Sequence, residues 1–151
     1  MSEIDARTWW QGLTQRYSGR RIEFALDGEV REFTLPAELF DSVADNLIEN
    51  ALNKASEAQA ITVRVIFSAE MRGTLTVCDD GAAISKNVVS QLFESAVTSH
   101  TGFGVGLYQS SRLATQSGYR LALVANSAGK VCFVLSGESA AGAATGERQV
   151  A

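Results

Sequence analysis

An amphipathic segment in the middle of the chain constrains the fold more than any other feature. Its apolar residues recur at intervals of three and four positions, which is the spacing of one face of an α-helix. These residues are Phe40, Val43, Ala44, Leu47, Ile48, Ala51, Leu52 and Ala55. A continuous apolar stripe of this length predicts a helix that is buried along one side, and Pro36 is positioned to open it. We therefore expect the core of the domain to be built against this helix.

The same segment contains asparagines that the apolar stripe does not explain. Asn46 and Asn50 lie four positions apart, with Lys54 four further on, and residues at this spacing share one face of a helix. Asparagine is a middling-to-poor helix former because its amide competes for backbone hydrogen bonds. Repeated asparagines therefore indicate that this face meets something polar. The amide oxygen of Asn50 is a ligand type that suits Mg²⁺, although a plain surface amide is the simpler interpretation.

Alternating segments on both sides of this helix predict β-strands. The stretch "RRIEFALDGEVREFTL" reads as two short strands around a turn at Asp27 and Gly28, and "ITVRVIF" and "GTLTVCD" follow as a second pair. The last pair, "YRLALVA" and "KVCFVLS", is joined by residues 126–129. A short helix around "VVSQLFE" and a longer one over "LYQSSRLATQS", ended by Gly118, complete the elements. This order predicts an α+β fold, a two-layer α/β sandwich whose mixed, mostly antiparallel sheet is covered by helices on one face.

The composition of the 151 residues is that of one globular domain, with 46% hydrophobic and 20% charged residues. A formal net charge of -4 argues against a nucleic-acid partner, which would need a clustered basic face. No apolar run is long enough to span a membrane, and the N-terminus lacks the order of a signal peptide. We therefore expect a cytoplasmic protein without direct membrane contact.

The two cysteines, Cys78 and Cys132, both lie in apolar strand-like runs and have no C-x-x-C spacing. A cytoplasmic protein normally keeps such thiols reduced. We therefore expect two buried free thiols rather than a disulfide or a pair of metal ligands.

The N-terminal stretch "TWWQGLTQRY" carries a helical stripe at Trp10, Leu13 and Tyr17. Two adjacent tryptophans do not easily face one core, so one of them is a candidate contact for a partner such as a separate helical domain. The alternative, equally open on the sequence, is that both cover the sheet of this domain.

Two further features are suited to binding a nucleotide. Gly102, Gly104 and Gly106 lie where a predicted loop enters a helix, so backbone N–H groups there can approach an anion such as phosphate, although glycines also serve simple turns. Their spacing and position do not fit a dinucleotide-binding fingerprint, and no Gly-Lys-Ser/Thr sequence is present. Asp79 ends a strand and is followed by Asp80 and a glycine, so it is either a turn residue or an acceptor for a group such as the adenine amino group.

Four segments in this order resemble a known family. "NLIENALNKA", "CDDGAAIS", "LFESAVTSH" and "TGFGVGL" are similar to the N box, first glycine box, F box and second glycine box of histidine-kinase catalytic and ATP-binding domains. These domains belong to the superfamily of gyrase, the ninety-kilodalton heat-shock chaperone and the mismatch-repair MutL ATPases, with the Bergerat nucleotide-binding fold. The resemblance extends from about Ile22 to about Leu135, and four boxes in order are far more specific than any one.

The resemblance implies a role for each matching residue. Asn50 would hold Mg²⁺ against the triphosphate of ATP, Asn46 would support it from one turn earlier, and Asp79 would accept the adenine amino group beside Gly81. The other matches would lie over the phosphates or near the lid that covers them. They are Thr98, Ser99, His100, Gly102, Gly104, Gly106 and Leu107.

The chain departs from the family pattern at several positions. Ala83 replaces the second glycine of the first glycine box and adds a methyl group near the expected nucleotide. Asn53 stands where a basic residue is usual, and Lys54 follows it about 100° around the helix, which leaves open whether its ammonium reaches the phosphates. His100 stands where lysine is common, so we expect its imidazole to contact phosphate rather than accept it.

The leading function implied by the resemblance is phosphotransfer in a two-component sensor histidine kinase. The domain would pass the γ-phosphoryl group of ATP to a histidine on a separate dimerisation domain and, through it, to a response regulator. The predicted division is a helical segment over residues 1–20 joining that domain, the ATP-binding domain over 21–136 and a disordered tail over 137–151. The alternatives are a free-standing serine kinase of the anti-sigma-factor type and a degenerate nucleotide-binding interaction module.

Hydrolysis of ATP ranks last among the functions that the resemblance implies. The hydrolases of the superfamily carry a glutamate general base four residues before the Mg²⁺-binding asparagine. That position is Asn46 here, which cannot take a proton from water at neutral pH. The nearest acid, Glu49, points about 60° away from Asn46 on a helical wheel. Asn46, Glu49 and Asn50 are accordingly the candidate catalytic residues.

Overall fold

The computed structural model describes residues 2–90 and 103–137, with side chains in the second range described from residue 106 onward. Its elements are β1 Glu3–Asp5, α1 Ala6–Arg16, β2 Ile22–Asp27, β3 Thr34–Pro36, α2 Ala37–Leu52, β4 Val63–Ser68, β5 Thr74–Asp79, α3 Lys86–Val89, α4 Phe103–Gln116, β6 Tyr119–Ser127 and β7 Lys130–Gly137. Within these described residues, no helix is long and apolar enough to cross a lipid bilayer.

The main sheet has five strands in the order β2, β4, β5, β7 and β6. Strands β2 and β4 run parallel, and the other neighbouring pairs are antiparallel. Along β5, buried and half-buried residues alternate, which places one face of the strand on the core. The predicted α+β class, with a mixed and mostly antiparallel sheet under helices, is confirmed.

The predicted hairpin between residues 21 and 35 is wrong. Strand β2 pairs in parallel with β4, with Phe24 opposite Val65, whereas β3 pairs with β1 in a separate two-stranded sheet. The chain does turn at Gly28, whose φ is 79°. Alternation identified both strands, but an alternating pattern does not specify which strand lies beside which.

Helix α2 has the buried stripe that its sequence predicts. It begins directly after Pro36 and ends at Leu52. Its buried residues are Leu39, Phe40, Val43, Ala44, Leu47, Ile48 and Ala51. Ala55 lies beyond the helix end and is exposed. The helix is therefore held by its apolar face, and its polar face is free to contact other elements.

Helix α1 belongs to the same core as the sheet, and both of its tryptophans are buried. Trp9 is 3% exposed and Trp10 is 8% exposed, and each indole lies 5.7 Å from the ring of Phe67 in β4. The Nε1 of Trp9 also donates a hydrogen bond of 2.9 Å to Asp41 of α2. The alternative in which both tryptophans cover this domain is the one observed. The division at residue 20 stays a prediction, and residues before it contribute to this core.

Cys78 and Cys132 form a disulfide, so the expectation of two free thiols is wrong. The two residues lie directly opposite each other in β5 and β7, 54 positions apart in the chain. Neither local segment indicates this pairing, because the register of the two strands is set by the packing of the whole sheet.

Candidate functional site

Three polar residues spaced four apart extend from helix α4 to the end of strand β5. We call Asn46, Asn50 and Lys54 the α2 polar row. Asn46 contacts α4, and Lys54, just past the helix end, contacts Asp79 at the end of β5. The row therefore joins the segments that match the N box, the first glycine box and the second glycine box.

Asn46 holds α2 against α4. Its Nδ2 donates a hydrogen bond of 2.6 Å to the Oγ of the buried Ser110 and a longer one of 3.5 Å to the carbonyl of Gly106. A Cβ added at Gly106 would lie 2.9 Å from the Oδ1 of Asn46. A side chain at position 106 would therefore displace the amide of Asn46, a contact that the glycine pattern alone did not reveal.

Helix α4 begins earlier than the sequence predicted. It starts at Phe103, so Gly104 and Gly106 lie in its first turn rather than in a loop. The first N–H groups of any helix lack an intrahelical acceptor, so this turn still offers donors to an anion. Leu107 is buried beneath it. Thr98, Ser99, His100 and Gly102 lie outside the described residues.

Asn50 occupies the middle of the α2 polar row and is half-buried. Within residues 2–90 and 103–137, the side-chain amide of Asn50 makes no hydrogen bond. Glu49 lies elsewhere: it is exposed and close enough to Tyr17 of the α1 end to contribute to raising the pKa of that phenol. The structure therefore separates Glu49 from the α2 polar row.

Lys54 ends the row in an ion pair. Its Nζ lies 3.0 Å from each carboxylate oxygen of Asp79 and donates a further hydrogen bond of 3.1 Å to the carbonyl of Ala82. The side chains of Lys54 and Asp79 are 20% and 5% exposed. The ammonium of Lys54 therefore contacts the carboxylate that the resemblance matches to adenine recognition.

The loop that follows β5 is fixed at several points, which the sequence did not indicate. Asp79 accepts a hydrogen bond of 2.9 Å from the backbone N–H of Gly81, and Asp80 accepts one of 2.9 Å from that of Thr62. The amide of Asn126 both donates to and accepts from the backbone of Ile84, at 3.0 and 2.7 Å.

Gly81 is further tied to the turn between β6 and β7, because its carbonyl accepts a hydrogen bond of 2.9 Å from the backbone N–H of Gly129. A Cβ at Gly81 would lie 3.0 Å from the Cδ of Lys54. The glycine therefore leaves the space that the lysine side chain occupies. Ala83, two residues on, is exposed.

A cleft of about 940 Å³ lies at the other end of the sheet, near the start of β5. It is lined by β3, the turn before β5 and the end of α4, with Arg72 stacked over Tyr119 at 4.9 Å. Burial raises the pKa of the Tyr119 phenol. Asp79 stands at the opposite end of β5, so this cleft is not part of the site described above.

A family model described as "Histidine kinase-, DNA gyrase B-, and HSP90-like ATPase" matches residues 36–140. The matched range includes the whole α2 polar row, the loop after β5 and helix α4.

Curated relatives include two sensor kinases. The adaptive-response sensory kinase SasA of Parasynechococcus marenigrum is 29% identical over 139 residues, covering 82% of this chain and 34% of that protein. The sensor histidine kinase/phosphatase LytS of Staphylococcus aureus is 30% identical over 93 residues, covering 61% of this chain and 16% of that protein. The chain thus spans about a third or less of the length of these relatives.

Solved structures share the fold. The catalytic domain of histidine kinase ThkA, free of nucleotide, superimposes with a TM-score of 0.70 at 16% identity, covering 89% of this chain and 92% of that one. Full-length ShkA in complex with AMPPNP gives a TM-score of 0.72 at 19% identity, covering 89% of this chain and 30% of that one. At these identities the likeness establishes the architecture, which is that of histidine kinase catalytic domains.

Proposed function

Because the chain belongs to the family of histidine kinase-, DNA gyrase B- and HSP90-like ATPases, we propose that it is the ATP-binding catalytic domain of a two-component sensor histidine kinase. In this role it binds ATP with Mg²⁺ and passes the γ-phosphoryl group to a histidine on a separate dimerisation domain. A response regulator receives the phosphoryl group from that histidine. The observation that carries the proposal is the α2 polar row, which connects helix α4 to Asp79.

Asp79, the α2 polar row and the first turn of α4 each contact a different part of the nucleotide in this proposal. Asp79 accepts the adenine amino group, and Asn50 offers its amide oxygen to Mg²⁺. Mg²⁺ suits this donor because it binds few protein oxygens, keeps several waters and is shared with substrate phosphates. The half-buried amide of Asn50, without a hydrogen bond among the described residues, fits that requirement. The first turn of α4 offers backbone N–H groups to the phosphates.

In phosphoryl transfer the protein performs little covalent chemistry, because catalysis depends on positioning the reactants and on stabilising charge. The domain therefore needs to hold the γ-phosphoryl group where an external imidazole can reach it. Hydrolysis would need a base for water. The residue at that position, Asn46, is neutral, and its amide is committed to Ser110 of α4. This observation supports transfer to an acceptor over hydrolysis.

Two alternatives remain as second candidates. A free-standing serine kinase of the anti-sigma-factor type would use the same site on a hydroxyl acceptor. A degenerate interaction module would bind nucleotide without turnover, and the engagement of Asp79 by Lys54 favours this second alternative. The cytoplasmic location and the lack of a nucleic-acid partner stay predictions.

Incubation with γ-labelled ATP and Mg²⁺ separates these functions. We expect the chain alone to stay unlabelled and an added histidine-bearing dimerisation domain from its own kinase to acquire an acid-labile label. Asn50→Ala should abolish the transfer, whereas Asn53→Ala, at an exposed position of the same helix end, should not. Acid-stable label on a partner protein would indicate the serine kinase. Stoichiometric acid-labile label on the chain itself, lost in His100→Ala, would contradict the proposal.

A further inference from the structure

The carboxylate assigned to the adenine amino group already has a cation from the chain itself. Lys54 Nζ lies 3.0 Å from both oxygens of Asp79, and the carbonyl of Ala82 accepts at 3.1 Å. An ammonium has three N–H donors, so each of them has an acceptor. The ion pair lies at the Lys54 end of the α2 polar row, and the side chain of Asp79 is 5% exposed.

Little of the Asp79 carboxylate remains free to accept a hydrogen bond from a nucleobase. Its Oδ1 also accepts a hydrogen bond of 2.9 Å from the backbone N–H of Gly81. An ammonium equidistant from the two oxygens fills the approach in front of the carboxylate, which is where an amino group would bind. A base that uses this acceptor must therefore displace Lys54.

The contact with Lys54 is built into the surrounding residues. Lys54 follows Asn53, the C-cap residue of α2. Cations are favoured near the C-terminus of a helix. Its side chain passes over Gly81, where an added Cβ would lie 3.0 Å from both the Cδ of Lys54 and the Cδ1 of Ile61. The missing side chain at position 81 thus provides the path along which the lysine reaches Asp79.

We propose that Lys54 competes with the adenine base for Asp79 and so determines the affinity of the site for adenine nucleotides. This inference rests on the proposed function, in which Asp79 reads the adenine amino group. The nucleotide binds only the fraction of molecules in which the ion pair is open, so the apparent affinity is lowered by that fraction. Once displaced, the ammonium is free to turn towards the phosphates.

The test removes the competing cation and measures two ligands. Adenosine has no phosphate, so its affinity reports the competition at Asp79 alone, and it is measured by NMR titration. ATP with Mg²⁺, measured by calorimetry, adds any later contact of Lys54 with the phosphates. The variants are Lys54→Met, which is apolar, and Lys54→Gln, which retains a neutral donor and serves if the first does not fold.

The matched control is Arg64→Met. This substitution also removes one positive charge, but from an exposed side chain whose ion pair with Glu23 is exposed as well. Arg64 lies opposite Cys78, the residue before Asp79, so it is close to the site in the sheet. We expect Lys54→Met to bind adenosine about tenfold or more tightly than the wild type, Lys54→Gln to gain less, and Arg64→Met to stay unchanged. Tighter adenosine binding with weaker ATP binding in Lys54→Met also supports the competition, with the ammonium then used on the phosphates.

Other results overturn the inference. Unchanged or weaker adenosine binding in both Lys54 variants, with ATP still bound by the wild type, rejects the competition and leaves the proposed function intact. Absence of ATP binding in the folded wild type and in every folded variant rejects both the competition at Asp79 and the proposed function.

Discussion

At the scale of single residues, Asn46 and Gly106 determine how closely α2 and α4 approach. Glycine inside a helix costs roughly 0.5 to 1 kcal/mol relative to alanine. Position 106 nevertheless holds glycine, because a Cβ there would lie 2.9 Å from the Oδ1 of Asn46. The Nδ2 of the same asparagine donates a hydrogen bond to the Oγ of Ser110.

We therefore predict that Gly106→Ala lowers the free energy of unfolding by about 1 kcal/mol, because the clash outweighs the gain in helix propensity. Gly12→Ala in α1 is the matched control. Apart from the two neighbouring residues and the backbone of the same helix, no atom lies within 4 Å of the added Cβ. It should raise the free energy of unfolding by roughly 0.5 to 1 kcal/mol. Chemical denaturation measures both, and an increase in both variants would contradict the close contact.

At this scale the sequence identified candidate side chains, but it did not predict the contacts that they make. Asn50, Lys54 and Asp79 were each identified from spacing or resemblance. The ion pair of Lys54 with Asp79 was not, because the path of a flexible side chain depends on a space that only the folded Gly81 provides. Likewise, the clamp of Asn126 on Ile84 joins residues 42 positions apart and has no local signal.

At the scale of elements, hydrogen bonds join α1 to α2. The phenol of Tyr17 donates a hydrogen bond of 2.9 Å to Asp45, and Arg16 donates to the same oxygen at 2.9 Å. Burial, and then the hydrogen bond to Asp45, raise the pKa of Tyr17 above its ordinary value. Folding therefore favours the protonated phenol.

A group whose pKa is raised on folding contributes stability that is present below its unfolded pKa, about 10 for tyrosine, and lost as pH rises through the folded pKa. Tyr17→Phe should therefore cost about 0.5 to 1.5 kcal/mol near neutral pH, where the hydrogen bond to Asp45 is lost. The difference from the wild type should shrink as pH rises above 10. Urea denaturation between neutral and strongly alkaline pH measures it, and a constant difference would contradict the argument.

Sequence periodicity predicted elements more reliably than their partners. Helix α2 was predicted with its buried face, because an apolar stripe is a local property. The predicted partner of β2 was wrong. Strand β2 pairs in parallel with β4, and because all of α2 lies between these strands in the chain, the pairing depends on tertiary packing. The start of α4 was placed too late, because glycine favours a loop on propensity, whereas Gly106 lies in the helix with its backbone against Asn46 of α2.

At the scale of the whole molecule, the disulfide between Cys78 and Cys132 links β5, the middle strand of the main sheet, to its neighbour β7. It joins residues 54 positions apart and closes a loop that contains α3, α4 and β6. Chain-entropy arguments give about 4 kcal/mol for a loop of this length. The cross-link also lies one residue before Asp79, so it holds the strand end that carries the candidate site.

We predict that the denatured, unreduced chain has no titratable thiol, and that reduction lowers the free energy of unfolding by about 4 kcal/mol. A double variant, Cys78→Ala with Cys132→Ala, should have the same stability with and without reductant. Two free thiols in the unreduced chain would contradict the bond.

In the function proposed above, the α2 polar row, Asp79 and the start of α4 bind an adenine nucleotide together with Mg²⁺. Calorimetry on the purified chain, with ATP and GTP, each with and without Mg²⁺, tests it most directly. We predict Mg²⁺-dependent binding of ATP and weaker binding of GTP, because guanine presents a carbonyl where adenine presents the amino group that we propose Asp79 to bind. The loss of that hydrogen bond should weaken GTP by about 1 to 3 kcal/mol. Equal affinity for the two nucleotides, or no Mg²⁺-dependent binding at millimolar ATP, would contradict the claim.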